Sequence, residues 1–281
     1  MRRIGVHTSI AGGLHLSLER ANALKCNTLQ IFSHNPRGWA IKSISEEEAV
    51  IFKALRSRLL MTPLSIHTSY LINLASRNID MQRKSVALLV RELDRADILG
   101  AEYVVLHPGS ASGDDKSRAR KRVTESLKEV ALRGHWRTGL LLENTAGERG
   151  DISSEMADLS EIINYVNDPL IAGVCIDTCH AFAAGYDIGS EEGIHHFSRE
   201  IEKYIGIAKV KLIHLNDSKG DLRSGIDRHE HIGLGKIGMR GFRSFLNYSS
   251  FKDIPLILET PKKNETDDYQ NLRKVRKMVK A

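Results

Sequence analysis

The chain has few cysteines. Cys26, Cys175 and Cys179 are the only three in 281 residues, too few and too irregularly spaced for a disulfide framework. A reducing, cytoplasmic compartment is therefore expected. Proline is sparse, with six residues, and no Pro-, Gly- or Ser-rich linker or low-complexity tract divides the chain, so one domain over residues 1–281 is expected. No apolar run approaches the ~20 residues of a membrane span. The N-terminus Met1-Arg2-Arg3-Ile4-Gly5-Val6-His7 is basic but lacks the apolar stretch of a signal peptide, which argues against export and membrane insertion. Neither sign of charge dominates: 41 Lys and Arg against 35 Asp and Glu leave +6, a modest excess that favours a polyanionic partner without requiring one. Hydrophobic residues at 41% and charged residues at 27% exclude a disordered chain.

Short apolar runs ended by polar residues predict strands at Arg3–Ser9, Thr28–Ser33, Leu64–Tyr70, Tyr103–Gly109, Gly139–Thr145, Ala172–Thr178, Val210–Asp217 and Pro255–Thr260. Most are continuously apolar, which suits strands covered on both faces. Helix-patterned stretches lie between them at Leu14–Lys25, Glu46–Leu60, Met81–Leu99, Ser117–Leu132, Glu155–Val166, Glu191–Ile207 and Gly241–Tyr248, and Asp267–Val279 follows the last strand. Ser45 with Glu48, and Ser154 ahead of Met156 and Ala157, are expected helix starts, because a hydroxyl can accept from first-turn amides. Gly100 and Gly134 are expected stops. Eight strands alternating with eight helices, joined by right-handed crossovers, count out to an α/β fold, a (β/α)₈ TIM barrel. A doubly wound open sheet is the structural alternative.

The metal-competent side chains gather at the C-terminal ends of these strands. His67, His107, Glu143, Asp177, His214 and Glu259 each fall near a strand end, and His180, Asp227 and His229 lie in the loops that follow. In this barrel those ends converge on the face where active sites sit. Isolated, each is most simply a hydrogen-bonded or solvated residue. Together they would place heavy negative charge in a cleft, which is tolerated chiefly when paired or bound to metal. Mixed imidazole and carboxylate ligands point to zinc, manganese or iron, since calcium and magnesium prefer all-oxygen shells. Nine ligands exceed one tetrahedral site, and a carboxylate bridging two ions suits phosphate ester hydrolysis.

Other features have plainer readings. Gly233-Leu234-Gly235-Lys236-Ile237-Gly238 spells G-x-G-x-x-G, but it follows a loop instead of a buried strand, so a flexible loop is expected in place of a dinucleotide site. Cys175 lies within a strand and should pack inside the barrel; Cys179 is left unassigned. Asn35-Pro36-Arg37-Gly38-Trp39 has turn chemistry and places an Arg and an aromatic on the active face, where, with Tyr70, it could wedge into a nucleic acid. The basic run Lys116 to Arg122 is expected to be a solvated helix face.

These motifs resemble the endonuclease IV family of apurinic/apyrimidinic (AP) endonucleases. The resemblance runs through His67-Thr68-Ser69-Tyr70-Leu71-Ile72-Asn73-Leu74-Ala75, His107-Pro108-Gly109-Ser110, Glu143-Asn144-Thr145-Ala146, Gly173 to Gly185, His214-Leu215-Asn216-Asp217-Ser218-Lys219 and Asp227-Arg228-His229, and reaches Glu259-Thr260. It implies the same barrel and three zinc ions per chain, with manganese an alternative at one site. His67, His107 and Glu143 would hold the first ion. Glu143 would bridge to a second held by Asp177, His214 and Glu259, and His180, Asp227 and His229 would hold the third. The implied activity is hydrolysis of the phosphodiester 5′ to an abasic site, leaving 3′-hydroxyl and 5′-deoxyribose phosphate ends, with trimming of 3′-blocking groups in base excision repair. Glu143 would be the catalytic bridge that orients the attacking hydroxide. Asn35, Arg37 and Tyr70 would contact double-stranded DNA in the minor groove, and Arg228 a phosphate. A monomer without membrane association is the implied state.

Two local departures follow from the comparison of motifs. Gly38 stands where some relatives carry a longer polar residue, so one stack-filling contact is either missing or supplied by Trp39. Leu222-Arg223-Ser224-Gly225 reorders the Gly and Arg expected before Asp227, which leaves that loop's conformation open. A sugar isomerase on the same barrel, and a lesion-binding module that holds DNA without cutting it, are the alternative functions. The loop Asn35 to Arg37 and the His180, Asp227 and His229 set argue against a sugar substrate, and the complete ligand set argues against mere binding.

Overall fold

The computed structural model describes residues 2–279; Met1, Lys280 and Ala281, included in the expected domain, lie outside the described residues. The strands are β1 (Ile4–Thr8), β2 (Leu29–Ile31), β3 (Leu64–His67), β4 (Tyr103–Leu106), β5 (Gly139–Glu143), β6 (Ile171–Asp177) and β7 (Val210–His214). After a small hairpin of β8 (Asp217–Ser218) and β9 (His229–Glu230) comes β10 (Leu256–Leu258). All but the hairpin pair in parallel with their neighbours in chain order, and β1 closes on β10. The result is the expected closed barrel and excludes the open sheet.

The helices are α1 (Leu14–Ala23), α2 (Glu46–Arg58), α3 (Ile79–Leu99), α4 (Lys116–Arg133), α5 (Met156–Val166), α6 (Thr178–Ala184), α7 (Glu191–Tyr204), α8 (Gly238–Leu246) and α9 (Asp267–Met278). Ser45 caps α2 as expected, its hydroxyl accepting from the Glu48 amide at 3.1 Å. The Ser154 expectation is corrected, since Glu155 occupies the cap position of α5 and no side chain closes that end. Gly100, at φ 68°, and Gly134 stop α3 and α4. The helix the sequence pattern missed is α6, whose seven residues are too few to display a period. It starts as β6 ends because the Asp177 carboxylate accepts from the His180 amide at 2.9 Å, so His180 sits in a helix, not in the expected loop.

Strand side chains alternate between two environments. Val105, Leu141, Cys175, Leu212 and Ile257 form a separate fully buried cluster contributed by five different strands. Their neighbours Leu106, Leu142, Ile176, Ile213 and Leu258 belong instead to the main core packed with the helices. Cys175 thus packs inside the barrel as expected. Residues two positions further along each strand share its inward direction one layer higher. They are His107, Glu143, Asp177, His214 and Glu259. An apolar plug therefore floors the candidate site.

Strand packing is closest at Gly5, where an added Cβ would lie 1.9 Å from the Thr28 carbonyl oxygen. Both atoms belong to backbone, so neither can swing aside. Gly5→Ala is expected to lower stability by about 3 kcal/mol, read as a lower denaturant midpoint; an unchanged midpoint would show that β1 and β2 can separate at little cost.

Candidate metal centre

Glu143 stands at the middle of the site and is fully buried. Its Oε1 lies 2.8 Å from His214 Nδ1 and 3.6 Å from His180 Nδ1. Its Oε2 lies 3.3 Å from His67 Nε2 and 3.1 Å from His107 Nε2. Around it the nine expected residues fall into three groups whose donor atoms lie within 4.8 Å of one another: His67, His107 and Glu143; Glu143, Asp177, His214 and Glu259; and His180, Asp227 and His229. Asp227 is the most open of the four acids, with a side chain 40% exposed.

Hydrogen bonds to backbone carbonyls, which can only accept, fix how several of these rings are presented. His67 donates Nδ1–H to the Thr68 carbonyl (2.8 Å), His180 to that of Asn144 (2.9 Å) and His229 to that of Glu259 (3.0 Å). Each Nε2 then faces carboxylates: Glu143 for His67, Asp227 at 3.1 Å for His180, and Asp177 at 3.6 Å for His229. His214 is turned the other way, with Nε2 donating to Gln30 Oε1 (2.9 Å). In the neutral rings a bare nitrogen lone pair faces a carboxylate oxygen. That arrangement is repulsive unless a proton or a metal cation sits between. Glu143 Oε2 and His229 Nε2 are, in addition, buried without a hydrogen-bond partner, so the donor set fits metal ions of the zinc, manganese and iron class.

The titration behaviour carries the same imprint. Burial alone would pull His180 and His214 down, but the surrounding carboxylates prevail and hold both well above the usual histidine range; Asp177, Asp227 and Glu143 act on His180, and Glu143 and Glu259 on His214. Burial would raise Glu143, yet His214 and His107 hold it well below the carboxylate range. Asp227 is likewise brought down to about 2 by His180 and His229 against the effect of burial. Burial pushes the Cys175 thiol up to about 12 and raises Cys179 further, so both thiols beside the ligands are neutral.

The supports of this site were not recognised in the sequence. Gln30 donates to Glu259 Oε1 (2.7 Å) and accepts from His214 and, at 3.1 Å, from Ser65. Asn216 donates to Asp177 Oδ2 (2.6 Å) and accepts from the Glu259 amide (2.8 Å). Asn144 accepts from the Asp177 amide (2.7 Å). His7 Nδ1 lies 3.2 Å from Glu259 Oε1. An inward polar residue on a strand covered on both faces, such as Gln30 or His7, was the available signal. Phe32, Tyr70 and Lys262 join the ligands in lining a cavity of about 290 Å³. A larger cavity, of about 840 Å³, lies near Arg2 and Arg276, but both guanidiniums there donate to backbone carbonyls.

The other sequence expectations divide. Tyr70 is 66% exposed at the rim, and Asn35, Arg37 and Arg228 are exposed. Trp39 is half-buried against the main core, so it is not the free aromatic expected beside Gly38. The Gly233 to Gly238 loop is not free: the Gly233, Gly235 and Ile237 amides donate to the buried Asp217 carboxylate at 2.8, 3.0 and 3.0 Å. Asp217 thus takes up these amides and anchors the loop, which corrects the expectation of a flexible one. The loop Leu222 to Gly225 docks on α6 through Arg223 and Gly225 amides donating to the Phe182 and Ala183 carbonyls. In the basic run, Arg120 pairs with Asp158 and Glu161 and Arg122 with Asp114, while Lys116, Arg118 and Lys121 face solvent. Among the described residues, no helix is long and apolar enough to cross a membrane.

Comparison with known proteins places this arrangement. Residues 18–280 match the family model described as xylose isomerase-like TIM barrel. A relative from Halothermothrix orenii, described as "Probable endonuclease 4", is 45% identical over 262 residues, covering 92% of this chain and 94% of the relative. The crystal structure of endonuclease IV from Thermus thermophilus superposes with a TM-score of 0.87 at 37% identity, covering 99% of this chain and 98% of the other. A D-tagatose 3-epimerase-like protein superposes at 0.72 with 20% identity over 98% and 97% of the two chains, a likeness of fold alone.

A metal-binding cluster of this kind must exchange protons for cations. His180 and His214 have raised values, so their contribution to the metal-free fold is complete below the ordinary histidine pKa of about 6.5 and is lost as pH rises through the raised values. The melting temperature of chelator-stripped protein is expected to fall as pH rises above neutrality, and zinc should reverse the fall while releasing protons. Calorimetry in two buffers of different ionisation enthalpy reads that release; zinc uptake without it would show that both rings are already neutral.

Proposed function

We propose, from the premise that this chain belongs to the endonuclease IV family of xylose isomerase-like TIM barrels, that it is a metal-dependent DNA-repair endonuclease acting at abasic sites. The observation that carries the reading is Glu143: a buried carboxylate with one oxygen unpartnered, between the imidazoles of three strands. Among the described residues no backbone amide reaches that oxygen, and against imidazole nitrogens it is satisfied by protons or cations. The relatives' descriptions as endonuclease 4 give the class of reaction.

In this reading His67, His107, Glu143, Asp177, His180, His214, Asp227, His229 and Glu259 hold three zinc ions, with manganese an alternative at one. When bound, the ions supply the charge that makes water a nucleophile near neutral pH and offsets the negative charge growing on the phosphate. Glu143, shared between two ligand groups, fixes where the nucleophile stands. Gln30, Asn144 and Asn216 hold the rings and carboxylates at their angles, as outer partners do in metal sites generally. The ring of apolar residues below Glu143 keeps water from reaching the carboxylates from beneath.

The cavity supports an abasic substrate. Its 290 Å³ sits at the lower end of small-molecule pockets, roughly 300 to 1,000 Å³, room for a sugar-phosphate without its base. A nucleotide lacking a base also costs less to extrude from the stack. Exposed Asn35, Arg37 and Tyr70 are suited to the gap left in the duplex, and Arg228, next to ligands Asp227 and His229, to a flanking phosphate. Cleavage 5′ to the lesion leaves a 3′-hydroxyl and a 5′-deoxyribose phosphate, and the same site trims blocked 3′ ends.

Zinc-loaded protein is expected to nick a duplex carrying one tetrahydrofuran abasic analogue on its 5′ side and to leave the intact duplex whole, with chelation abolishing the cut. Mapping the product ends distinguishes hydrolysis from elimination, since the analogue cannot undergo elimination. Glu143→Gln should fold and lose incision by roughly three orders of magnitude. Intact lesion DNA after exposure to fully metal-loaded wild-type protein would reject the proposed function.

A further inference from the structure

Helix α3 carries two charged side chains that the barrel core does not require. Glu92 is completely buried and Arg95 nearly so, and their three-residue spacing puts them on one face of the helix. Glu92 Oε1 accepts from the Ser69 amide at 2.9 Å and from His34 Nε2–H at 2.8 Å. Arg95 donates to Ser33 Oγ at 3.0 Å, and to the carbonyls of Ser33 and Lys42. The Ser69 hydroxyl in turn donates to the Pro36 carbonyl at 2.7 Å. Two loops, the one after β2 and the one after β3, are thereby fastened to the same turn of α3 and to each other. They are the loops that present Asn35, Arg37 and Tyr70.

Stability alone does not account for this choice of residues, because well-packed apolar side chains commonly do as well as a buried ionic group. The cluster also leaves Glu92 Oε2 and His34 Nδ1 buried without partners, a defect that an apolar core would not have. Both loops leave the barrel without regular structure of their own after short strands, so their spacing depends on what anchors them. A rigid pair of loops meets a kinked duplex without first paying the entropy of ordering.

We propose that Glu92 and Arg95 are positioning residues that set the separation of the two DNA-facing loops, and so govern engagement of the lesion duplex without acting on bond cleavage. The proposal rests on the reading of Asn35, Arg37 and Tyr70 as DNA contacts. Neither side chain touches the candidate ligands; each acts through loop backbone.

The test compares two substrates of the zinc-loaded enzyme, the tetrahydrofuran duplex and the small diester bis(p-nitrophenyl) phosphate, which needs no loop contact. Glu92→Leu and Arg95→Met are expected to raise KM for the duplex by about tenfold, with kcat and small-diester turnover within roughly twofold of wild type. Glu92→Gln keeps a neutral acceptor for Ser69 and His34 and should restore the wild-type KM. Ser69→Ala, which deletes the hydroxyl's bond to the Pro36 carbonyl and the one it accepts from the Leu71 amide and leaves α3 untouched, should raise KM by about threefold, and it decides the matter should either α3 variant fail to fold. Wild-type cutting of the duplex with KM unmoved in the folded variants, an equal loss on both substrates, or no recovery in Glu92→Gln overturns the proposal alone. Wild-type hydrolysis of the small diester without any cutting of the duplex overturns the DNA reading and this proposal with it.

Discussion

The structure turns on a single buried charge. Glu143 lies at the top of the barrel interior, fully excluded from solvent, and among the described residues the ion-pair partners within its reach are the imidazoles of His67, His107, His180 and His214. A lysine or arginine in their place would neutralise the carboxylate permanently and occupy the cleft with a side chain that cannot give up its charge. Imidazoles can be charged or neutral without moving. The balance of charge can therefore pass between protons and cations without any side chain being exchanged.

That property depends on rings and carboxylates being held from outside. Carbonyls of Thr68, Asn144 and Glu259 settle which nitrogen of His67, His180 and His229 carries a proton. Gln30 does the same for His214 while restraining Glu259. Several of these supports sit on or directly after strands whose lower halves are locked in the barrel plug, a more rigid mounting than loops provide. Asp217 extends the support outward: by gathering the amides of the Gly233 to Gly238 loop it steadies the hairpin in which Ser218 pairs with His229.

The barrel was legible because continuous apolar runs of strand length recur at regular intervals, and the clustering of the candidate ligands because polar residues end those runs. Periodicity speaks only where an element is long enough to repeat, which is why α6 was missed and His180 was assigned to a loop. The cap at Ser154 failed for a related reason, since a hydroxyl near a helix start does not by itself reveal which residue takes the cap geometry. Gln30, Asn144 and Asn216 escaped notice because an amide has no distinctive spacing, and its role exists only between strands far apart in sequence. Trp39 was misplaced because a turn motif predicts a bend and does not say which side chain the core will claim. The glycine-rich loop was read as flexible because the carboxylate that orders it, Asp217, precedes it by many residues and could be found only in three dimensions.

The distribution of the ligands along the chain also determines when the centre can exist. His67 is contributed by β3 and Glu259 directly follows β10, while Glu143 sits on β5 between them. The last barrel strand to be synthesised is also the one that closes on the first. A nascent chain thus lacks a member of the second candidate group until Glu259 has been added, and a fragment ending before it never gains that member. The nine-residue cluster is therefore a property of the closed barrel and of no shorter stretch of the chain.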